Sequence, residues 1–173
     1  MSQVSLTSDS LVSTKARVPQ ARPKLVARPR LIESLRWEAG RRLTLITAPA
    51  GFGKTTLLGE WVAERSDERS VAWVSLDEGD NDPARFLSYL VAALGTIEDG
   101  FGEGVLSSFG APGSPPVGTL TGALLNELAD IPGELAIVLD DYHLIDSDRV
   151  HGVVTLLLDR LPSNVHLVAG RRA

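Results

Sequence analysis

The residues best suited to chemistry lie in the sequence TAPAGFGKTT, which covers positions 47–56. Lys54 and Thr55 follow Gly51 and Gly53 at the spacing of the P-loop pattern, in which a glycine-rich turn joins a strand to a helix. In such a turn successive backbone N–H groups form an anion site, and the amino-terminal end of the helix adds partial positive charge. The pattern therefore predicts a site for the phosphates of a nucleotide.

Each position in this loop has an expected role. Lys54 is expected to contact the β- and γ-phosphates, Thr55 to place its hydroxyl on Mg²⁺, and Thr56 to contact the α-phosphate. Ala48 stands where the pattern has its first glycine, so the alternative is a glycine-rich turn that only opens a helix. Four residues are expected to surround the phosphates: Ala50, Gly51, Phe52 and Gly53.

Two acids follow an apolar run in ELAIVLDDY, at positions 134–142. Asp140 is expected to act on Mg²⁺, and Asp141 to orient or deprotonate an attacking water. Arg171 follows the last predicted strand and could contact the γ-phosphate. The alternatives are a pair of solvated acids at a strand end and a solvated basic tail.

The elements that would position these residues alternate between strands and helices. This order predicts an α/β fold, a three-layer P-loop NTPase sandwich with a mainly parallel sheet whose ligands bind at the carboxyl ends of the strands. Residues 98–117 are predicted to form a loop. The predicted strands cover 42–49, 70–76, 134–142 and 165–170, and the predicted helices cover 54–66, 83–94, 120–131 and 147–161.

Three segments of different composition are expected along the chain. They are a disordered tail over 1–13, a basic extended arm with a short helix over 14–42, and the nucleotide-binding core over 43–173. Residues 1–42 carry nine Lys and Arg against three Asp and Glu, whereas the remainder is acidic. This asymmetry favours an arm that packs on an acidic body, and a nucleic-acid arm is the alternative. The acidic stretch over 75–86 is expected to be a solvated loop with a helix cap at positions 81–83, or else a metal or substrate site.

The composition excludes several classes of protein. The chain has no cysteine, so it has no disulfide and no thiolate metal site. Its content of 43% hydrophobic and 23% charged residues is ordinary for a globular protein. It lacks an apolar run long enough to span a bilayer and a secretion signal at its amino terminus. We therefore expect a cytoplasmic protein without a membrane partner.

Several motifs together resemble a known family. KLVARPRLIESL, TAPAGFGKTT, AWVSLDEGDNDPARFLSYL and IVLDDYHLI are similar to the amino-terminal domain of large LuxR-type transcriptional regulators of the MalT kind, in the STAND class of P-loop ATPases. The resemblance implies a switch in which ADP holds a resting state, ATP with an inducer favours an assembling state, and slow ATP hydrolysis resets it. It also implies that Val26 and Arg28 lie near the adenine. The family commonly has Ala at the position of Ala48, whereas its usual Ala-Ser-Arg after the fourth strand is Ala-Gly-Arg here, ending at Arg171.

The resemblance also sets expectations about partners. Such regulators continue with another strand, a winged helix, a helical-repeat sensor and a helix-turn-helix, so we expect a fold that is incomplete at its carboxyl-terminal end and marginally stable alone. The expected partners are the rest of a regulator, or further copies in the ATP state, with no direct DNA binding by this chain. One alternative is a stand-alone P-loop enzyme such as a small-molecule kinase, against which residues 98–117 lack any Lys or Arg. The other is a truncated remnant that binds no nucleotide.

Overall fold

A computed structural model describes residues 11–20, 28–35, 41–65, 69–109 and 111–173. Val26 and positions 1–10 of the predicted tail lie outside the described residues. The described ranges contain four strands, β1 (Leu43–Ala48), β2 (Ser70–Ser75), β3 (Leu135–Asp140) and β4 (Val165–Arg172). They also contain six α-helices, α1 (Pro29–Ser34), α2 (Lys54–Arg65), α3 (Pro83–Leu94), α4 (Glu103–Ser108), α5 (Val117–Asp130) and α6 (Asp148–Arg160).

The four strands form one parallel sheet in the order β1-β4-β3-β2. In this register Ala48 pairs with Arg172 and Ser75 pairs with Asp140, so the carboxyl ends of all four strands meet at one edge. The parallel sheet confirms the predicted α/β class. It also brings the glycine-rich loop after β1 to the same edge as the acids after β3.

Helices cover both faces of the sheet, and they bury every residue of β3. All of these residues are apolar except Asp140, which ends the strand. On one face Leu58 and Trp61 of α2 pack against Trp73 and Val138 of the sheet. On the other face a larger core joins the sheet to α3, α5 and α6. The result is the predicted three-layer arrangement, with α2 held directly behind the loop that precedes it.

Helix α3 begins where the capping pattern predicts. The Asp82 carboxylate accepts hydrogen bonds from the backbone N–H groups of Ala84 (2.8 Å) and Arg85 (3.2 Å), and Pro83 occupies the first helical position. These bonds satisfy amides that the first turn of a helix leaves unpaired. The predicted cap over 81–83 is therefore confirmed.

Two predictions about irregular segments were wrong. The predicted loop over 98–117 contains α4, whose Val105 is buried, and its preceding Gly102 N–H donates to Glu127 Oε2 at 2.6 Å. The arm predicted to be extended contains a turn of 3₁₀ helix over Ser13–Ala16, because the apolar Ala16 is buried there. Tertiary burial stabilises both turns against the local Gly, Ser and Pro content.

A buried histidine links β4 to the start of β1. His166 Nδ1 lies 2.7 Å from the Arg41 carbonyl and its Nε2 lies 2.8 Å from Thr44 Oγ1. Because a carbonyl only accepts, Nδ1 carries the proton and Nε2 accepts from the hydroxyl. Burial lowers the pKa of His166 below its ordinary value, so the neutral ring is favoured in the fold.

Within the part of the chain that the structure describes, no helix is both long and apolar enough to cross a bilayer.

Candidate functional site

The loop between β1 and α2 depends on two glycines for its shape. Gly51 and Gly53 have φ values of 81° and 73°, and the Phe52 N–H donates to the Pro49 carbonyl at 3.4 Å. An L-residue in this left-handed region is strained by about 1–2 kcal/mol, so glycine suits both positions. Alternation of conformation along a short bend is what forms a concave set of backbone N–H groups that can hold an anion.

Lys54 lies folded over this loop. Its Nζ donates to the carbonyls of Ala48 (3.0 Å) and Pro49 (3.4 Å), and the residue is only 9% exposed. The ammonium is therefore held at the mouth of the loop, at the first residue of α2. A cation here adds to the positive end of the helix dipole, which is the charge that a phosphate group needs.

A hydroxyl and a carboxylate converge beside Lys54. Thr55 Oγ1 donates to Asp140 Oδ2 at 2.6 Å, and the Asp141 N–H donates to Asp140 Oδ1 at 3.0 Å. Burial raises the pKa of Asp140, which is 2% exposed, while the Thr55 hydrogen bond acts in the opposite direction. Hydroxyl and carboxylate oxygens are the ligands that Mg²⁺ takes in phosphate sites, so these two residues fit the ion.

The protein groups offer this ion only part of a coordination shell. Among the described residues no group of three or more His, Cys, Asp or Glu side chains could hold a metal ion. Magnesium at such sites usually keeps waters and takes phosphate oxygens as further ligands. A metal at Thr55 and Asp140 would therefore arrive with a phosphate compound.

Asp141 points away from its neighbour because the chain bends at this residue. Its φ is 59°, and among the described residues it is the one non-glycine with a positive φ. Its side chain is 44% exposed on the cavity wall, with Oδ1 lying 3.9 Å from His143 Nδ1. The bend thus separates a buried carboxylate from an accessible one within two consecutive residues.

One cavity of about 610 Å³ lies at the carboxyl edge of the sheet, and the buried Asp140 is connected to it through Thr55 without lining it. It contains seven of the sequence-predicted site residues, namely Ala50, Gly51, Gly53, Lys54, Thr55, Thr56 and Asp141. Four further lining residues were not predicted, namely Pro19, Gln20, Gly59 and Arg172. Pro19 and Gln20 carry no sequence signal for this position, since they belong to the arm and reach the cavity only through tertiary packing.

The two terminal arginines occupy different positions. Both are exposed, but Arg172 lines the cavity, whereas Arg171 is not among the lining residues and its Nε donates to the Arg172 carbonyl at 3.4 Å. β4 continues to Arg172, two residues beyond the predicted strand, so the alternation of side chains decides which arginine faces the loop. Gly170 leaves room for the Asp140 carboxylate, because a Cβ at this position would lie 3.1 Å from Asp140 Oδ1.

Phe52 and Arg28 lie at the outer side of the loop. The Phe52 ring is 62% exposed, and its carbonyl accepts a hydrogen bond from Arg28 Nη1 at 2.9 Å. The Arg28 guanidinium also lies over Gly53, where an added Cβ would be 3.5 Å from Nη2. The structure thus places Arg28 on the backbone of the loop, outside the lining of the cavity.

Comparison with known proteins relates most of the chain to one group of regulators. The HTH-type transcriptional regulators MalT of Yersinia enterocolitica and Serratia proteamaculans are each 39% identical to it over 158 residues, which is 91% of this chain. The chain spans 17% of the length of these regulators. No protein-family model matches the chain.

Solved structures show the same fold at low sequence identity. A chain in a structure of Drosophila ORC bound to DNA has a TM-score of 0.58 at 11% identity, over 93% of this chain and 42% of its own. Cdc6p from Pyrobaculum aerophilum has a TM-score of 0.56 at 16% identity, over 94% of this chain and 42% of its own. At these identities the likeness shows the fold alone, and it agrees with the predicted α/β fold with a parallel sheet.

Proposed function

Because this chain is related over 91% of its length to MalT-type transcriptional regulators, we propose that it is an ATP/ADP-binding switch module of such a regulator, with slow Mg²⁺-dependent ATP hydrolysis. The observation that carries the proposal is the 2.6 Å contact between Thr55 Oγ1 and Asp140 Oδ2, directly beside Lys54 at the phosphate loop. A glycine-rich turn that only opens a helix would not require a buried carboxylate beside a lysine and a threonine at this spacing, whereas a site for Mg²⁺ and phosphates would.

The binding roles follow from the positions of the groups. The backbone of residues 50–53 and the first turn of α2 would hold the phosphates, and Lys54 would exchange its two carbonyl contacts for phosphate oxygens. Thr55 and Asp140 would hold Mg²⁺, which supplies neutralisation of the phosphate charge when bound. Thr56 lines the same cavity and is assigned to the α-phosphate.

Hydrolysis would depend on the accessible carboxylate and on an arginine. Asp141 lies on the wall of the cavity, where its carboxylate can accept a proton from a water. Arg172, which lines the cavity, is a second candidate for the γ-phosphate contact that the sequence suggested for Arg171. Arg171 remains a proposed site residue beside it in β4.

The proposed partners are the other segments of a regulator, since the chain spans 17% of its relatives. In the ATP state it would associate with further copies, and DNA binding would belong to other segments. Val26 and Arg28 stay adenine-side proposals, and Arg28 is connected to the loop by its hydrogen bond to the Phe52 carbonyl. A cytoplasmic setting follows from the proposed regulatory role.

Calorimetric titration with ADP and ATP in Mg²⁺ tests the proposal. The wild-type chain should bind both nucleotides, and Lys54→Ala should weaken the affinity by about 10- to 150-fold, because a charged hydrogen bond to phosphate contributes about 1.5–3 kcal/mol. Arg160→Ala, at the end of α6 far along the chain from the loop, should leave the affinity unchanged. Equal binding by wild type and Lys54→Ala would contradict the phosphate site.

A further inference from the structure

The amino-terminal segment over residues 11–20 is fastened to the acidic loop that follows β2. Lys15 Nζ donates to Asp77 Oδ2 at 2.9 Å and to Asp80 Oδ2 at 2.5 Å, and it lies 4.2 Å from the centroid of the Tyr89 ring. The Val12 N–H donates to Tyr89 Oη at 3.2 Å. The segment is therefore held by an ion pair, a cation–π contact and a hydrogen bond.

The Asp80 carboxylate is a buried partner of this lysine. The residue is fully buried, and its carboxylate also accepts bonds from the Asp77 N–H (2.8 Å) and from Arg85 Nε (3.2 Å). A buried carboxylate that loses one of its cationic partners keeps part of its desolvation cost, so Lys15 is strongly favoured at this position. The Lys15 contacts lower the pKa of Asp77, which agrees with a charged pair.

The same segment continues from this anchor to the cavity. Ala16 is buried directly after Lys15, and the chain then reaches Pro19 and Gln20, which line the cavity together with Lys54 and Thr56. The Pro19 carbonyl passes close to α2, at 3.9 Å from where a Cβ on Gly59 would stand. Only three residues separate Lys15 from Pro19, so the anchor fixes where this wall can lie.

We infer that Lys15 is a positioning residue for the nucleotide site, because its ion pair with Asp77 and Asp80 holds Pro19 and Gln20 against the cavity. The inference rests on the proposed function and deepens it. Among the described residues Lys15 does not line the cavity, and its effect on nucleotide affinity passes through the backbone of residues 16–20. The acidic loop is thereby assigned a role as the dock for this segment, in place of the solvated loop or metal site considered from the sequence.

The size of the effect follows from the docked fraction of the segment. When only a fraction of the molecules has the wall in place, the apparent Kd rises by the inverse of that fraction. Lys15→Met keeps the length of the side chain and removes its charge. If docking then falls to about a tenth, the Kd for ADP rises about tenfold.

The test is calorimetric titration of the 173-residue chain with Mg²⁺-ADP, with urea unfolding of each variant in the absence of nucleotide. We expect Lys15→Met to raise the Kd about tenfold and Lys15→Arg to restore it to within about threefold of wild type. Arg17→Met is the matched control, since it removes an exposed charge from the same segment, and its Kd should equal that of wild type. Asp77→Asn, which keeps an oxygen for the Gly79 N–H, should raise the Kd by about threefold even if Lys15→Met folds poorly.

A purely structural role for Lys15 would lower the free energy of unfolding in urea while leaving the Kd of the folded chain unchanged. Wild-type affinity in both Lys15→Met and Asp77→Asn would therefore overturn this inference alone. A wild-type chain that folds and binds neither ADP nor ATP would overturn the proposed function, and the inference with it.

Discussion

Asp140 and Asp141 show how adjacent residues of one type acquire different chemistry. Asp140 ends a fully buried strand, and its two oxygens are occupied by the Thr55 hydroxyl and the Asp141 N–H. Asp141 itself has the left-handed backbone conformation, and it lines the cavity. In the proposed function the first carboxylate would hold an ion in place, and the second, which is accessible to solvent, would accept a proton from water.

Replacement of Asp141 by Asn tests this division of roles. Asn tolerates the left-handed conformation better than most residues, so Asp141→Asn should fold and bind Mg²⁺-ATP within about threefold of wild type. It loses the proton acceptor, so the rate of phosphate release should fall by about a hundredfold or more.

The control for this prediction is Asp146→Asn, an exposed acid in the following loop. It should release phosphate at the wild-type rate. Equal rates in wild type and Asp141→Asn would remove Asp141 from the proposed chemistry, while the binding role of the loop would stand.

At the scale of elements, Asn81 joins the acidic loop to the segment that follows the two acids. Its Oδ1 accepts from the N–H groups of Asp146 (2.8 Å) and Ser147 (2.9 Å), and its Nδ2 donates to the carbonyls of Glu78 and Leu144, each at 3.0 Å. All four hydrogen-bonding positions of the amide are therefore used. The bonds fix the path of the chain between Asp141 and α6.

Asn81→Ala should lower the free energy of unfolding by about 2–4 kcal/mol, because four hydrogen bonds of about 1 kcal/mol each are lost. The backbone groups that bonded to Asn81 would then need water as their partner. Urea unfolding followed by circular dichroism measures this change. Asn126→Ala, on the exposed side of α5, is the matched control and should change the free energy by less than about 0.5 kcal/mol. A similar small change in Asn81→Ala would show that the bridge contributes little.

The sequence predicted some elements far better than others. Apolar runs and the P-loop pattern located β1, β3 and α2 within one or two residues, because burial of a continuous run leaves few alternatives. β4 was predicted two residues too short since Arg171 and Arg172 are not among the residues enriched in strands, and pairing with β1 extends it. That extension decides which arginine faces the cavity, and no local pattern encodes it.

The parts of the site that depend on distant contacts were not predictable in the same way. Pro19 and Gln20 reach the cavity through the anchor of Lys15 on Asp77 and Asp80, across more than sixty positions in the sequence. The charge asymmetry favoured a basic arm that packs on an acidic body, and Lys15 on Asp77 and Asp80 agrees with it within residues 11–20. It could not give the partner of each charge, since the acidic body offers many carboxylates.

At the scale of the whole molecule, acid should destabilise the fold through His166. Its pKa in the folded chain is lowered below the ordinary 6.5, so its contribution to stability is complete above 6.5 and is lost as pH falls towards the folded pKa. The physical reason is that the buried ring stays neutral while the unfolded chain takes up a proton. The stability of the β1–β4 pairing is thus tied to pH.

Urea unfolding at several pH values between 5 and 8 checks this prediction. The free energy of unfolding of wild type should fall on acidification below about 6.5. His166→Gln should be less stable at neutral pH and should show a smaller decline over the same range. An unchanged pH dependence in His166→Gln would assign the acid sensitivity to other groups.

Amide hydrogen exchange with and without Mg²⁺-ADP tests the central claim most directly, because it shows where on the chain the nucleotide binds. The proposed site predicts protection of peptides that cover residues 50–56, at the loop and the first turn of α2, together with the segment that contains the lining residues Pro19 and Gln20. Lys54→Ala should abolish the protection at both places. Protection that falls elsewhere on the chain, or none at saturating ADP, would contradict a nucleotide site at this edge of the sheet.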